Sequence, residues 1–233
     1  MVSALGVTVG IEVGEDLAPE VRRGWSRAMV DAEPEVVVPV PEVYAGALSQ
    51  LSSEVTLAAI ERRAGSLWML HAAGLADPET GRAVVLVGPS GSGKSTAARA
   101  LGRRLGYLSD EAVGIDPAGR VVPHAKPLSV IVDGTYPKQQ LSPDELGLAV
   151  APADPSLRAV VLLHRDGTRE AGLTAVRRAA ALPLLAEHTS YLARLRRPLH
   201  VVAGILEGVD VHDAHYAETA DLDPLVTRLL EDR

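Results

Sequence analysis

The chain contains no cysteine, no phenylalanine and no asparagine, and only three lysines among its 233 residues. Without cysteine there is no disulfide and no thiolate metal site, which fits a reducing compartment, so a cytoplasmic protein is expected. Aromatic residues make up only 3%, so aliphatic side chains must build the core, and a hydrophobic content of 47% is enough for a globular one. No apolar run reaches the ~18 residues a membrane helix needs. The start, Met1-Val2-Ser3-Ala4-Leu5, lacks the charged opening of a signal peptide. Basic clusters are missing too: the net charge is −7, with no block of lysines and arginines, which argues against broad nucleic-acid binding. What remains is a globular chain of one large domain or two small ones.

What is present is a phosphate-binding sequence. Gly88-Pro89-Ser90-Gly91-Ser92-Gly93-Lys94-Ser95 reads G-x-x-x-x-G-K-S, the P-loop, followed by Thr96. A β-forming run, Ala83 to Val87, stands before it and a helix-forming run, Thr96 to Leu101, after it. Gly88, Gly91 and Gly93 let the backbone wrap closely, so that its N–H groups converge on phosphate oxygens at the start of a helix. Lys94 supplies charge for the β- and γ-phosphates, and the Ser95 hydroxyl is placed to ligate Mg²⁺. ATP and Mg²⁺ are therefore the expected cofactors.

Around this loop the pattern reads as follows. Val7 to Val13 alternates like a strand, Leu17 to Met29 has helical spacing with Trp25 and Met29 as packing residues, and Val36–Val38 is an edge strand among prolines. Residues 1–45 thus form a small strand-rich lobe of a single domain spanning 1–233, with the P-loop core in 46–233. Ser53–Arg63 reads as a helix ending at Gly65. Leu67–Leu75 and Ala83–Val87, joined by the turn at Asp77–Gly81, read as an antiparallel hairpin feeding the P-loop. A short strand then delivers Asp110 and Glu111, and a second hairpin spans Val113–Val122. Leu128–Val132 is a strand, Ser142-Pro143-Asp144-Glu145 a helix start, and Ala159–Leu163 a buried strand. Leu182–Arg196 reads as a helix, Leu199–Leu206 as a strand that 209–216 can pair with, and Asp223-Pro224 opens a last helix. The expected fold is α/β: a mixed, largely antiparallel sheet around a P-loop.

Phosphoryl transfer needs charge neutralisation, positioning and a carboxylate to receive the acceptor's proton. Asp110 lies 16 residues after Lys94. One helix and one strand fill that interval and bring the chain back beside the loop. Asp110 is the candidate base and Glu111 a candidate metal or water contact. His71 lies on the strand paired with the P-loop strand. A competing pattern is Val160 to Asp166, hydrophobic residues leading to an acid, which would make Asp166 the metal-binding acid and Arg165 or Arg169 nucleotide contacts. Lys126 precedes a proline in a loop, where it either points at phosphates or acceptor or is simply a loop lysine. His212 and His215 offer a pair without a third metal ligand.

Leu70-His71-Ala72-Ala73-Gly74-Leu75, the hairpin into Gly88–Ser95, Leu108-Ser109-Asp110-Glu111 and Lys126-Pro127-Leu128-Ser129 together resemble the catalytic domain of the HPr kinase/phosphorylase family. They resemble especially its short homologues found beside peptide-modification genes, such as those that phosphorylate lasso-type precursor peptides. The resemblance covers about residues 66–132 and implies the HPr kinase/PEP carboxykinase type of fold. It places His71 in the active site, makes Asp110 the base that deprotonates a serine hydroxyl, and implies a peptide or protein acceptor. Related kinases are often homo-oligomers; no membrane or nucleic-acid partner is implied. Glu111 stands where the family has a second Asp. The Gly-rich signature and large N-terminal domain of the full-length enzymes are not found, so reverse phosphorylase activity and HPr as substrate are not expected. A small-molecule kinase and a non-catalytic nucleotide-binding regulator remain as alternatives.

Overall fold

The structure is a computed structural model describing residues 1–40, 46–132 and 135–231. The chain runs β1 (Val2–Ala4), β2 (Val7–Glu12), α1 (Ala18–Gly24), β3 (Val36–Pro39) and α2 (Ala47–Arg63). It continues with β4 (Trp68–Ala76), β5 (Arg82–Val87), α3 (Lys94–Leu101), β6 (Gly106–Ser109), β7 (Ala112–Ile115) and β8 (Val121–Val122). After β9 (Leu128–Val132) and β10 (Thr135–Leu141) come β11 (Ser156–Arg165), β12 (Gly172–Ala175), α4 (Arg178–Ala186) and β13 (Thr189–Ser190). The last elements are α5 (Pro198–Ile205), β14 (Asp210–Tyr216) and α6 (Leu222–Glu231). Among the described residues no helix is long and apolar enough to cross a membrane.

These elements fall into two compact units: Met1–Arg63 with Pro123–Gly147, and Ala64–Val122 with Leu148–Arg233. In the first, β2 pairs antiparallel with β1 and parallel with β3, while β9 and β10 form a separate antiparallel ribbon. The alternating Val7 and Val9 are buried, as are Leu51, Val55 and Ala59 of α2, which packs on the three-stranded sheet. Helix α2 begins at Ala47 rather than Ser53. Its polar first turns satisfy themselves: Ser53 Oγ donates to the Ser49 carbonyl, and Gln50 donates to Glu54 one turn on. Helix α1 stops at Gly24, and Ser26–Ala28 tightens into a 3₁₀ turn whose Ser26 and Arg27 side chains both hold the Asp144 carboxylate. Trp25 is buried in this unit, but Met29, beyond the helix end, is 43% exposed and is no packing residue. At Ser142 the capping box forms, with the Ser142 amide donating to Glu145 Oε2 and the Glu145 amide to Ser142 Oγ. The chain then makes only a turn, ending at Gly147 with φ of 63°.

The second unit is a nine-stranded sheet in the order β12-β14-β11-β5-β4-β7-β8, with β6 and β13 also on β4. Among the named strand pairings of this sheet, β11–β5 and β11–β14 are parallel and the others antiparallel, so the sheet is mixed and largely antiparallel around the P-loop strand β5, as expected. Its core is aliphatic, carried by residues such as Val85, Val87, Val160, Leu162, Leu185 and Ile205. Two expected elements differ. The stretch 182–196 is not one helix: α4 ends at Ala186, and Thr189–Ser190 peels away to pair with Leu70 and Met69 of β4. The stretch 199–206 is not a strand but most of α5, with Pro198 in its first turn, where proline is pre-set for a helix. Val202 and Ile205 are buried while Leu199 is exposed, a helical rather than a strand period. The strand 210–216 therefore pairs with β11 and β12 instead.

Candidate phosphate-binding and transfer site

The loop between β5 and α3 is shaped by its glycines. Gly91 and Gly93 have φ of 82° and 92°, a region other residues resist. A Cβ at Gly88 would lie 2.7 Å from Ser92 Oγ, and one at Gly93 would lie 2.6 Å from the Tyr216 hydroxyl. Lys94 is 7% exposed, and its Nζ donates to the loop's own Gly88 and Pro89 carbonyls at 2.7 and 3.0 Å. Ser92 Oγ is buried without a hydrogen-bond partner. Pro89, Ser90, Ser95 and Thr96 are exposed. A tight turn of left-handed glycines, a buried ammonium and an orphaned hydroxyl at a helix start fit a phosphate chain with its divalent cation. Tyr216, at the end of β14, clamps the loop from the side by donating its hydroxyl to the Ser92 carbonyl. Burial raises the Tyr216 pKa, so the phenol stays a neutral donor.

Strand β4 carries the rest. Both of its neighbours are interrupted at the same level. On one side β5 pairs with Ala72–Ala76 and then leaves as the P-loop; its vacated place is taken by the segment before β13, where the His71 amide donates to the His188 carbonyl at 2.8 Å. On the other side β6 and β7 are separated by a bend that carries Asp110 and Glu111. Ser109 holds this bend: its Oγ accepts from the Glu111 and Ala112 amides at 3.3 and 3.2 Å, and the Ala72 amide donates to the Glu111 carbonyl. Because Asp110 and Glu111 sit in a bend and not in a strand, strand alternation does not decide where they point. Asp110 is two strands from the P-loop strand, roughly 10 Å at ordinary strand spacing.

Electrostatics link these groups. The His71 pKa is lowered, first by burial and then by the Lys94 ammonium, with Glu111 opposing through its charge and a backbone hydrogen bond. His188 is also lowered, by burial and then by Lys94. Burial pulls Lys94 below the ordinary lysine range. His71 is thus within electrostatic reach of Lys94, Glu111 and His188, and His188 of Lys94. Asp110 is 6% exposed and accepts a hydrogen bond at 3.0 Å from the hydroxyl of the wholly buried Tyr107. Burial, then the Asp110 charge, pushes the Tyr107 pKa well above 10.0.

The competing acid, Asp166, follows β11, the strand paired directly with the P-loop strand β5. Its Oδ1 accepts from both the amide and the hydroxyl of Thr168, closing a turn; these bonds lower its pKa. Lys126 belongs to the other unit, where it is buried and its Nζ donates to the Pro127 carbonyl at 3.1 Å. His212 and His215, three apart on β14, point to opposite faces. His215 instead stacks on His164, with ring centroids 5.1 Å apart, and His164 pairs with Asp213 at 2.6 Å. Among the described residues no group of three or more metal-ligating side chains converges.

His188, Tyr107 and Tyr216 were not picked out by sequence. Tyr107 stands three residues before a candidate base, a signal of sorts. The other two reach the site only through strand pairings far apart in the chain.

The chain matches no protein-family model and no curated protein. Among solved structures it is similar to the HPr(Ser) kinase/phosphatase from Coxiella burnetii, at 14% identity over 70% of this chain and 93% of that one, with a TM-score of 0.40. A likeness at this level leaves function to the site itself.

Proposed function

We propose that the protein is an ATP- and Mg²⁺-dependent kinase that phosphorylates a serine or threonine hydroxyl of a peptide or protein, a ribosomally made precursor peptide among the acceptors to test. One observation carries this reading: a glycine-shaped loop with a buried lysine lies beside a strand, β4, that carries a histidine and whose neighbours β6 and β7 are separated by an acidic bend. Bound MgATP would supply the electrophilic γ-phosphorus. Residues 88–96 and Lys94 would hold its phosphates through amides and charge, and the Ser95 hydroxyl would ligate the cation, with Glu111 a further contact to it. Asp110, fixed by Tyr107, would accept the acceptor hydroxyl's proton as the new oxygen–phosphorus bond forms and the β–γ bridging bond breaks, releasing ADP. His71, neutral at physiological pH, would assist at the transferred group. The resemblance of these motifs to the HPr kinase family supports the same assignment.

The test is label transfer from γ-labelled ATP with Mg²⁺ to candidate peptides, wild type beside Asp110→Asn and Asp166→Asn. Loss of transfer confined to Asp110→Asn is the expected result. Loss confined to Asp166→Asn would overturn the site assignment, and label on a metabolite but on no peptide would overturn the acceptor.

A further inference from the structure

Two imidazoles interact electrostatically with the P-loop lysine. Val87 pairs with Ala72, so the chain leaves for the P-loop beside His71, and Lys94 Nζ bonds the Gly88 carbonyl there. His188, in the turn just before β13, fills the vacated place: its carbonyl accepts from the His71 amide at 2.8 Å, and its own amide donates to the Leu185 carbonyl. The His71 ring is tied to the Glu111 backbone, whereas the half-buried ring of His188 makes no hydrogen bond among the described residues. Its charged or titratable neighbours are Lys94, Glu187 and His71. A half-buried imidazole with no protein partner beside a buried ammonium has its N–H available for an anion.

We infer that His188 is a phosphate-contacting residue of this site, donating its ring N–H to a terminal phosphoryl oxygen of a bound nucleoside triphosphate. The ligand's identity rests on the kinase reading, because the P-loop and Lys94 decide where a terminal phosphate lies. A merely structural histidine would affect every nucleotide alike. A phosphoryl contact affects only the one that carries the third phosphate.

The experiment is calorimetric titration of wild type, His188→Ala and His188→Gln with the magnesium complexes of ADP and of the non-hydrolysable imido analogue of ATP. His188→Ala should weaken the triphosphate analogue about tenfold and leave ADP within about twofold, the size of one hydrogen bond to a charged group. His188→Gln, which keeps an N–H donor, should recover most of the loss. Equal weakening of both nucleotides, or of neither, overturns the inference while leaving the kinase reading to the transfer assay. If wild type binds neither nucleotide, both readings fall. If the selective loss is seen but no acceptor is ever labelled, His188 stands as a phosphate contact and the kinase reading alone fails.

Discussion

At the scale of single residues, Tyr107 holds the candidate base. Its phenol is wholly buried and donates to Asp110 Oδ1, so Tyr107→Phe removes a bond to a nearly buried carboxylate. The expected cost is about 1–3 kcal/mol of stability by denaturant titration, with kcat falling at least about tenfold and KM little changed. A fall in KM alone would show that Tyr107 does not set the base. The raised Tyr107 pKa also has a sign: the folded chain keeps a proton that the unfolded chain loses near pH 10. Its contribution is therefore complete below pH 10 and lost as pH climbs through the folded value. His71 and His188 work in the opposite direction. Their folded pKa values lie below 6.5, so below about pH 6.5 the unfolded chain binds more protons and stability falls with pH. Between about pH 7 and pH 5 the melting temperature should drop less in the His71→Gln/His188→Gln double variant than in wild type; identical slopes would mean that neither ring is held neutral.

At the scale of elements, the P-loop is pressed between its own turn and the end of β14. Gly93 combines φ of 92° with a space that the Tyr216 hydroxyl fills, so Gly93→Ala meets both backbone strain and a clash. Nucleotide affinity should fall about a hundredfold or more. In a Tyr216→Phe background the clash goes and the strain stays, so part of the loss should return; strict additivity in this cycle would mean that the tyrosine does not shape the loop. The β4–β5 hairpin and the loop were legible from sequence because a tight turn, a short strand and three glycines are local signals. The element before β13 was not. Leu184, Leu185, His188 and Leu192 share helical spacing, but pairing of Thr189–Ser190 with β4 overrides it through bonds more than a hundred positions away. Helix α5 was misread because the run Leu199–Leu206 is apolar enough for either a buried strand or a helix. Pro198 was the available sign.

At the scale of the whole molecule, sequence order hides how the chain is partitioned. The first unit is discontinuous: Met1–Arg63 is completed by Pro123–Gly147, and the strands that carry the P-loop lie between them in sequence. Local patterns found β2, β3 and much of α2, yet nothing local could say that their packing partners arrive 60 residues later. Those partners are specific. His124, fully buried, bonds Thr56 of α2 at 2.9 Å and lies 6.2 Å, ring to ring, from Trp25. Asp144 accepts from Ser26 at 2.6 Å and Arg27 at 2.7 Å, and these bonds lower its pKa. A chain of about this length builds a core worth only about 3–5 kcal/mol, while leaving the Thr56 hydroxyl and the Trp25 ring without His124 costs on the order of 1–3 kcal/mol for the lost hydrogen bond alone. The fragment 1–63 should therefore show no cooperative thermal transition by circular dichroism, although it contains β1, β2, β3 and α2. A cooperative transition in that fragment would mean that the three-stranded sheet and its helix form a folding unit by themselves, and that the return of the chain at Pro123 only decorates it.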